Sequence, residues 1–170
     1  MCIRDSGFAQ SLYGLLFPAK IIGMIIGLLA VGFTYDLGQI LTREYGIKNL
    51  YVPFILPGLM ASALPLHFWS VSGLETSLVV LIFILFIITS YHTYFNGGKK
   101  FGPPLLILLL SALRPEAPVF ILPIIYVLFR SKKLNLTQIM PLITVFVLPY
   151  LILIIARLFY YHEILPNIFY

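Results

Sequence analysis

The sequence predicts an all-α protein: a polytopic transmembrane helical bundle of about five to six membrane segments, each needing ~20 apolar residues. Three observations predict it. Of the 170 residues, 61% are hydrophobic and only 10% charged, and the mean hydropathy is +1.03. A soluble domain carries about 25% charged residues. The apolar residues also come in long runs, and no polar stretch between them is long enough for a separate soluble domain. Finally, the cations cluster in the short loops between the runs, where they orient helices in a membrane.

The net charge of +5 is therefore no nucleic-acid signal, and the expected partner is the lipid bilayer. The single cysteine, Cys2, forms no internal disulfide. His67, His92 and His162 are isolated from one another, and no cluster has metal-ligand spacing. Residues 1–6, Met-Cys-Ile-Arg-Asp-Ser, lack the apolar core of a signal peptide and read as a non-native leader. Residues 7–170 are expected to be one transmembrane domain, truncated at both ends.

Residues 12–34 form the first run, with Pro18 and Lys20 near one end and Gly23 and Gly27 spaced for close helix approach. Residues 35–49 are the longest polar stretch and read as a short interfacial helix with a loop. Residues 50–68 form a second run that carries Pro53, Pro57 and Pro65, so kinks are expected. Trp69 suits a membrane–water boundary, and Ser72 with Glu75 fits a capping box opening the third run, residues 74–91. Residues 96–100, Asn-Gly-Gly-Lys-Lys, make a turn. Residues 139–156 are the last run.

Between that turn and the last run lies an anomaly. Residues 105–128 are apolar except for Arg114-Pro115-Glu116. Each charge in hydrocarbon costs about 2.5–3.5 kcal/mol on insertion scales. The flanking arms, residues 103–113 and 117–129, are each too short to cross a bilayer alone. Read as a hairpin, they leave residues 35–49, 92–102 and 130–138 on the cytoplasmic side. These loops hold Arg43, Lys48, Lys99, Lys100, Arg130, Lys132 and Lys133, seven of the eleven cations. Read as one kinked span, they would split these cations between the two sides. The positive-inside rule favours the hairpin. Residues 72–76, 114–116 and 162–167 then share the outer face.

That face carries Glu75, Arg114, Glu116, Arg157, His162, Glu163 and Asn167. Arginine suits phosphate because its planar fork binds two oxygens at once, and histidine donates to phosphate or relays a proton near neutral pH. Each has a plainer role beside this one: an ion pair for Arg114 and Glu116, a helix cap for Glu75, interfacial anchoring for Arg157, His162 and Glu163. Ser72 has no nucleophile's partners, and Asn135-Leu-Thr137 lies on the cytoplasmic side, out of reach of glycosylation.

Three segments in order, Trp69-Ser-Val-Ser-Gly-Leu-Glu-Thr76, Leu113-Arg-Pro-Glu116 and Tyr160-Tyr-His-Glu-Ile-Leu-Pro-Asn-Ile-Phe-Tyr170, resemble bacterial GT-C membrane glycosyltransferases, in particular the arabinofuranosyltransferase-like and cell-envelope sugar transferases. The resemblance departs at His162 and Glu163, where glycine is usual, and at Ile168, where threonine is usual. It implies transfer of a sugar from a polyprenyl-phosphate-linked donor to a glycan or glycolipid acceptor, outside the cytoplasmic membrane, by a multi-pass protein of the inner (plasma) membrane. It assigns Glu75, Arg114, Glu116, Pro166 and Asn167 to the cavity wall. It gives no residue here as catalytic base, since the acidic loop of such enzymes would precede residue 12, and it leaves a divalent metal open. A transporter or lipid flippase, which also uses broken helices and midplane charges, and a non-catalytic membrane scaffold are the rival readings.

Overall fold

A computed structural model describes residues 6–63, 74–97, 101–114, 116–130 and 140–161. They are helices and turns, with no strand among the described residues. The chain forms two compact units, Met1–Ile84 and Leu85–Tyr170. Three helical stretches, Phe17–Glu44, Thr76–Phe95 and Leu142–Phe159, are long and apolar enough to cross a membrane.

In the first unit, α1 (Ser6–Glu44) is one helix of 39 residues, about 58 Å long at 1.5 Å per residue. The sequence separates an apolar span at 12–34 from an interfacial helix at 35–49, but the helix runs through both. Polarity changes at residue 35, yet residues 35–44 contain nothing that breaks a helix. Backbone hydrogen bonding continues whatever the surroundings of the side chains. The stop comes at Gly46, whose φ is +63°. Its N–H donates to the Arg43 carbonyl at 3.2 Å, and the Ile47 N–H donates to the Thr42 carbonyl at 2.9 Å. This is the paired closure of a Schellman motif, which favours glycine at the left-handed residue. Gly46→Ala is expected to cost about 1 kcal/mol, because a Cβ is strained there. Thermal unfolding of the reconstituted chain measures it, and an unchanged midpoint would contradict the cap.

One face of α1 is built from small residues. Gly23, Gly27, Ala30, Thr34, Gly38 and Thr42 are all buried, while Ile21, Ile22, Met24, Ile25, Leu28 and Leu29 are exposed. Small residues let backbones approach closely where hydrocarbon gives no drive to bury large ones. The 3₁₀ turn Val52–Phe54 and α2 (Ile55–Ala61) pack on α1. A Cβ on Gly38 would lie 2.5 Å from the Pro53 carbonyl oxygen, so here backbone meets backbone. The rings of Tyr35 and Phe54 meet beside it with centroids 4.9 Å apart. Pro53 is the second residue of the 3₁₀ turn and Pro57 falls in the first turn of α2, where a missing N–H costs nothing. Of the span expected at 50–68, the structure describes these ten helical residues. Residues 64–68, with Pro65, lie outside the described residues.

The third helix, α3 (Leu74–Phe95), runs across the boundary between the units. It closes at Asn96, whose N–H donates to the His92 carbonyl at 3.2 Å, and Gly97, with φ +73°. Thr89 satisfies its hydroxyl on the Leu85 carbonyl at 2.7 Å, as buried helical Ser and Thr commonly do.

In the second unit, α4 (Gly102–Leu113) opens on two buried prolines, Pro103 and Pro104, and buries Ile107, Leu110 and Ser111. A break follows at Arg114, then the 3₁₀ turn Ala117–Phe120 and α5 (Ile121–Arg130). The two short arms expected from the sequence are both present. The last stretch is a π-helical segment, Leu142–Val147, continuing into α6 (Leu148–Tyr161). In the π segment the Leu148 N–H donates to the Ile143 carbonyl, five residues back. Pro149 gives a physical reason: in a regular α-helix its ring would clash with the carbonyl of Val145, and a widened turn relieves such a clash.

α4 packs against the 3₁₀ turn that follows it, the π segment and α6, rather than along α5. The direction of α6 follows from two of these contacts. Arg157 near the end of α6 reaches Ala112 near the end of α4. Residues 142–147, which lie 10–15 positions earlier and so about 15–22 Å back along the helix, also touch α4. Only a roughly parallel course satisfies both. Between the two helices the chain has to return from the C-terminal end of α4 to the N-terminal end of the π segment.

Candidate functional site

The site is built on the C-terminal turn of α4. Proline has no backbone N–H, so Pro115 leaves the Ser111 carbonyl without its i+4 partner. Arg114 takes an extended conformation, φ −132° and ψ 115°, and its N–H still closes on the Leu110 carbonyl at 2.7 Å. The next carbonyl, that of Ala112, would have received the N–H of Glu116 had the helix continued. It accepts instead from Arg157 Nη2 at 3.2 Å, across 45 residues of sequence. A cation at a helix C-terminus meets both a free carbonyl and the negative end of the helix dipole, worth roughly 0.3–1 kcal/mol, up to ~2 where partly buried. The bond is exposed although the Arg157 stem is half-buried, so the lower end of that range applies.

Glu116 turns back on Arg114. Arg114 Nη1 donates to Glu116 Oε1 at 3.2 Å, with the two side chains 45% and 50% exposed. Positions two apart on a regular helix point to different faces. The pair forms here because the break at Arg114 removes the helical geometry. An ion pair this exposed contributes about 0–1 kcal/mol in water, so it does not account for keeping the charges. Charge counting matters more: two arginines face one carboxylate, and Arg157 has a carbonyl but no carboxylate opposite it among the described residues. Among the described residues the corner carries one excess positive charge.

Of the residues singled out by sequence, the structure pairs Arg114 with Glu116 and brings Arg157 to the same helix end, on the Ala112 carbonyl. Glu75 lies in the first turn of α3 and belongs to the first unit. Its capping partner Ser72, together with Trp69, His67, His162, Glu163, Pro166 and Asn167, lies outside the described residues. The Ala112 carbonyl is the member that sequence reasoning missed. Pro115 was its signal, since a proline two residues past a helix end marks carbonyls that need a partner from elsewhere. Among the described residues no three His, Cys, Asp or Glu side chains gather closely enough to hold a metal ion. Ser77 and Ser90 bury hydroxyls that have no hydrogen-bond partner.

No family model matches this chain, and no curated protein or solved structure matches it at a significant level. The likeness to GT-C glycosyltransferases rests on its three quoted segments alone.

Proposed function

We propose that the chain is part of a multi-pass membrane glycosyltransferase that takes a sugar from a polyprenyl-phosphate donor and passes it to a cell-envelope acceptor outside the inner membrane. The observation that carries this reading is the corner at the end of α4. There Arg114, half-exposed and paired with Glu116, follows a helix end held by Arg157, and Leu105, Leu109, Leu122, Ile155 and Phe159 are exposed on the adjoining helices. A lipid phosphate fits both features, its chain among exposed Leu, Ile and Phe side chains and its head on the Arg114 guanidinium. Arg114 is the contact to phosphate, with Glu116 competing for it. Glu75, Pro166 and Asn167 stay assigned to the cavity wall on the resemblance, and His162 on the chemistry of its side chain. No residue of this chain is assigned as catalytic base.

The membrane topology belongs to the same proposal. The parallel course of α4 and α6 supports the hairpin, because one crossing back, by α5, is what lets the last helix start on the same side as α4. It also keeps the cation-bearing loops together on the cytoplasmic side.

Binding of farnesyl phosphate to the chain in lipid nanodiscs tests the reading, with farnesol as the phosphate-free control. The phosphate is expected to bind and farnesol to bind at least tenfold more weakly, since charge-assisted contacts carry more than 1.4 kcal/mol. Arg114→Ala should remove most of that preference. Glu116→Gln should strengthen phosphate binding, because it frees Arg114 and raises the local charge. Equal affinity for the two lipids would end the proposal.

A further inference from the structure

We infer that Arg157 is a positioning residue: it holds the broken end of α4, and through it Arg114, and does not itself grip the phosphate. The role of Arg114 rests on the donor reading above; the structural part does not.

Three observations converge. The Ala112 carbonyl loses its own helical partner at the break and takes Arg157 Nη2 at 3.2 Å instead. Arg114 is two residues further on, and its N–H is held by Leu110 at 2.7 Å, so the turn that aims Arg114 is fixed from both ends. Arg157 also continues the inward stripe of the last helix. Phe146 is buried, Tyr150 and Leu153 are half-buried, and Arg157 follows at helical spacing, whereas Leu151, Ile152 and Ile155 are exposed. Its stem is thereby directed at α4 by the same face that packs there. Below it, Phe146 and Tyr150 stack with centroids 5.4 Å apart and stiffen the approach. The parallel course of α4 and α6 leaves the two helices tied at two levels: packing at the π segment and Arg157 at the top. The upper tie ends beside the charged corner.

The test separates hydrogen bond from charge. Spin labels at Leu109→Cys and Ile155→Cys, in a Cys2→Ser background, report the α4–α6 distance in nanodiscs. Both positions are exposed. Arg157→Met should broaden the distance distribution and weaken farnesyl phosphate binding by roughly tenfold, about what one charge-assisted hydrogen bond carries. Replacing the Arg157 side chain with citrulline keeps its length and one terminal NH2 donor, but exchanges the other terminal nitrogen for a carbonyl oxygen and removes the charge. It should restore the narrow distribution and bring affinity back to within about threefold of the unmodified chain. A citrulline chain with normal distances and affinity as poor as Arg157→Met would overturn the inference, since the charge would then be acting on the phosphate. So would an unchanged distance distribution in Arg157→Met. If the unmodified chain binds no farnesyl phosphate, the donor reading fails while the distances still judge the tie.

Discussion

Ile152→Asp is expected to raise the apparent insertion free energy of the last helix by about 3 kcal/mol, the cost of a carboxylate near the centre of a membrane span. Ile152 is 59% exposed in the middle of Leu142–Phe159, the most apolar of the three candidate spans. Its neighbours on that face, Leu148, Leu151 and Ile155, are exposed too. A water-facing surface of this kind would tolerate an aspartate, and solubility would improve. A lipid-facing one has no partner to offer it. The measurement is the fraction of chains that carry an engineered glycan acceptor, appended after Tyr170, across microsomal membranes. Ile152→Ala, which loses only apolar contact, should shift that fraction far less. Equal behaviour of the two variants would show that this helix does not sit in hydrocarbon.

Gly38→Ala is expected to destabilise the first unit by about 1–3 kcal/mol, the usual range for overpacking a filled contact. The new methyl would lie 2.5 Å from the Pro53 carbonyl oxygen and 3.0 Å from the Pro53 Cα. These are backbone atoms that cannot swing aside as a flexible side chain does. α1 and the 3₁₀ turn must separate, and the Tyr35–Phe54 ring contact beside them would loosen. Gly32 supplies the control on the same helix, since a Cβ there meets nothing within 4 Å. Gly32→Ala should stabilise by up to about 1 kcal/mol through helix propensity alone. The two substitutions are chemically identical and opposite in expected sign. Unfolding of the reconstituted chain by denaturing detergent reads both, and a shared sign would refute backbone contact at Gly38.

Some of this could be read from the chain alone. Hydropathy located the apolar runs, and the charge anomaly at Arg114-Pro115-Glu116 marked the break in residues 105–128. The short arms on either side of it follow from proline and charge, which are local properties. The length of α1 was harder to read. Hydropathy changes at residue 35, but helix continuity depends on backbone geometry, and the stop signal was Gly46, three residues after Arg43. The Arg114–Glu116 ion pair was legible as the plainer role of these charges, but helical spacing speaks against it and only the break permits it.

By itself the sequence determined the apolar class of surface this protein presents and the place where charge interrupts it. These depend on composition and on neighbours a few residues apart. Only the tertiary structure decided that Gly38 lies against the Pro53 backbone, that α4 and α6 run parallel, and that Arg157 completes a helix end 45 residues before it. The physical reason is the same in each case. A small residue or an unpartnered carbonyl states a need, but what meets it comes from a distant part of the chain, and no local pattern names that part.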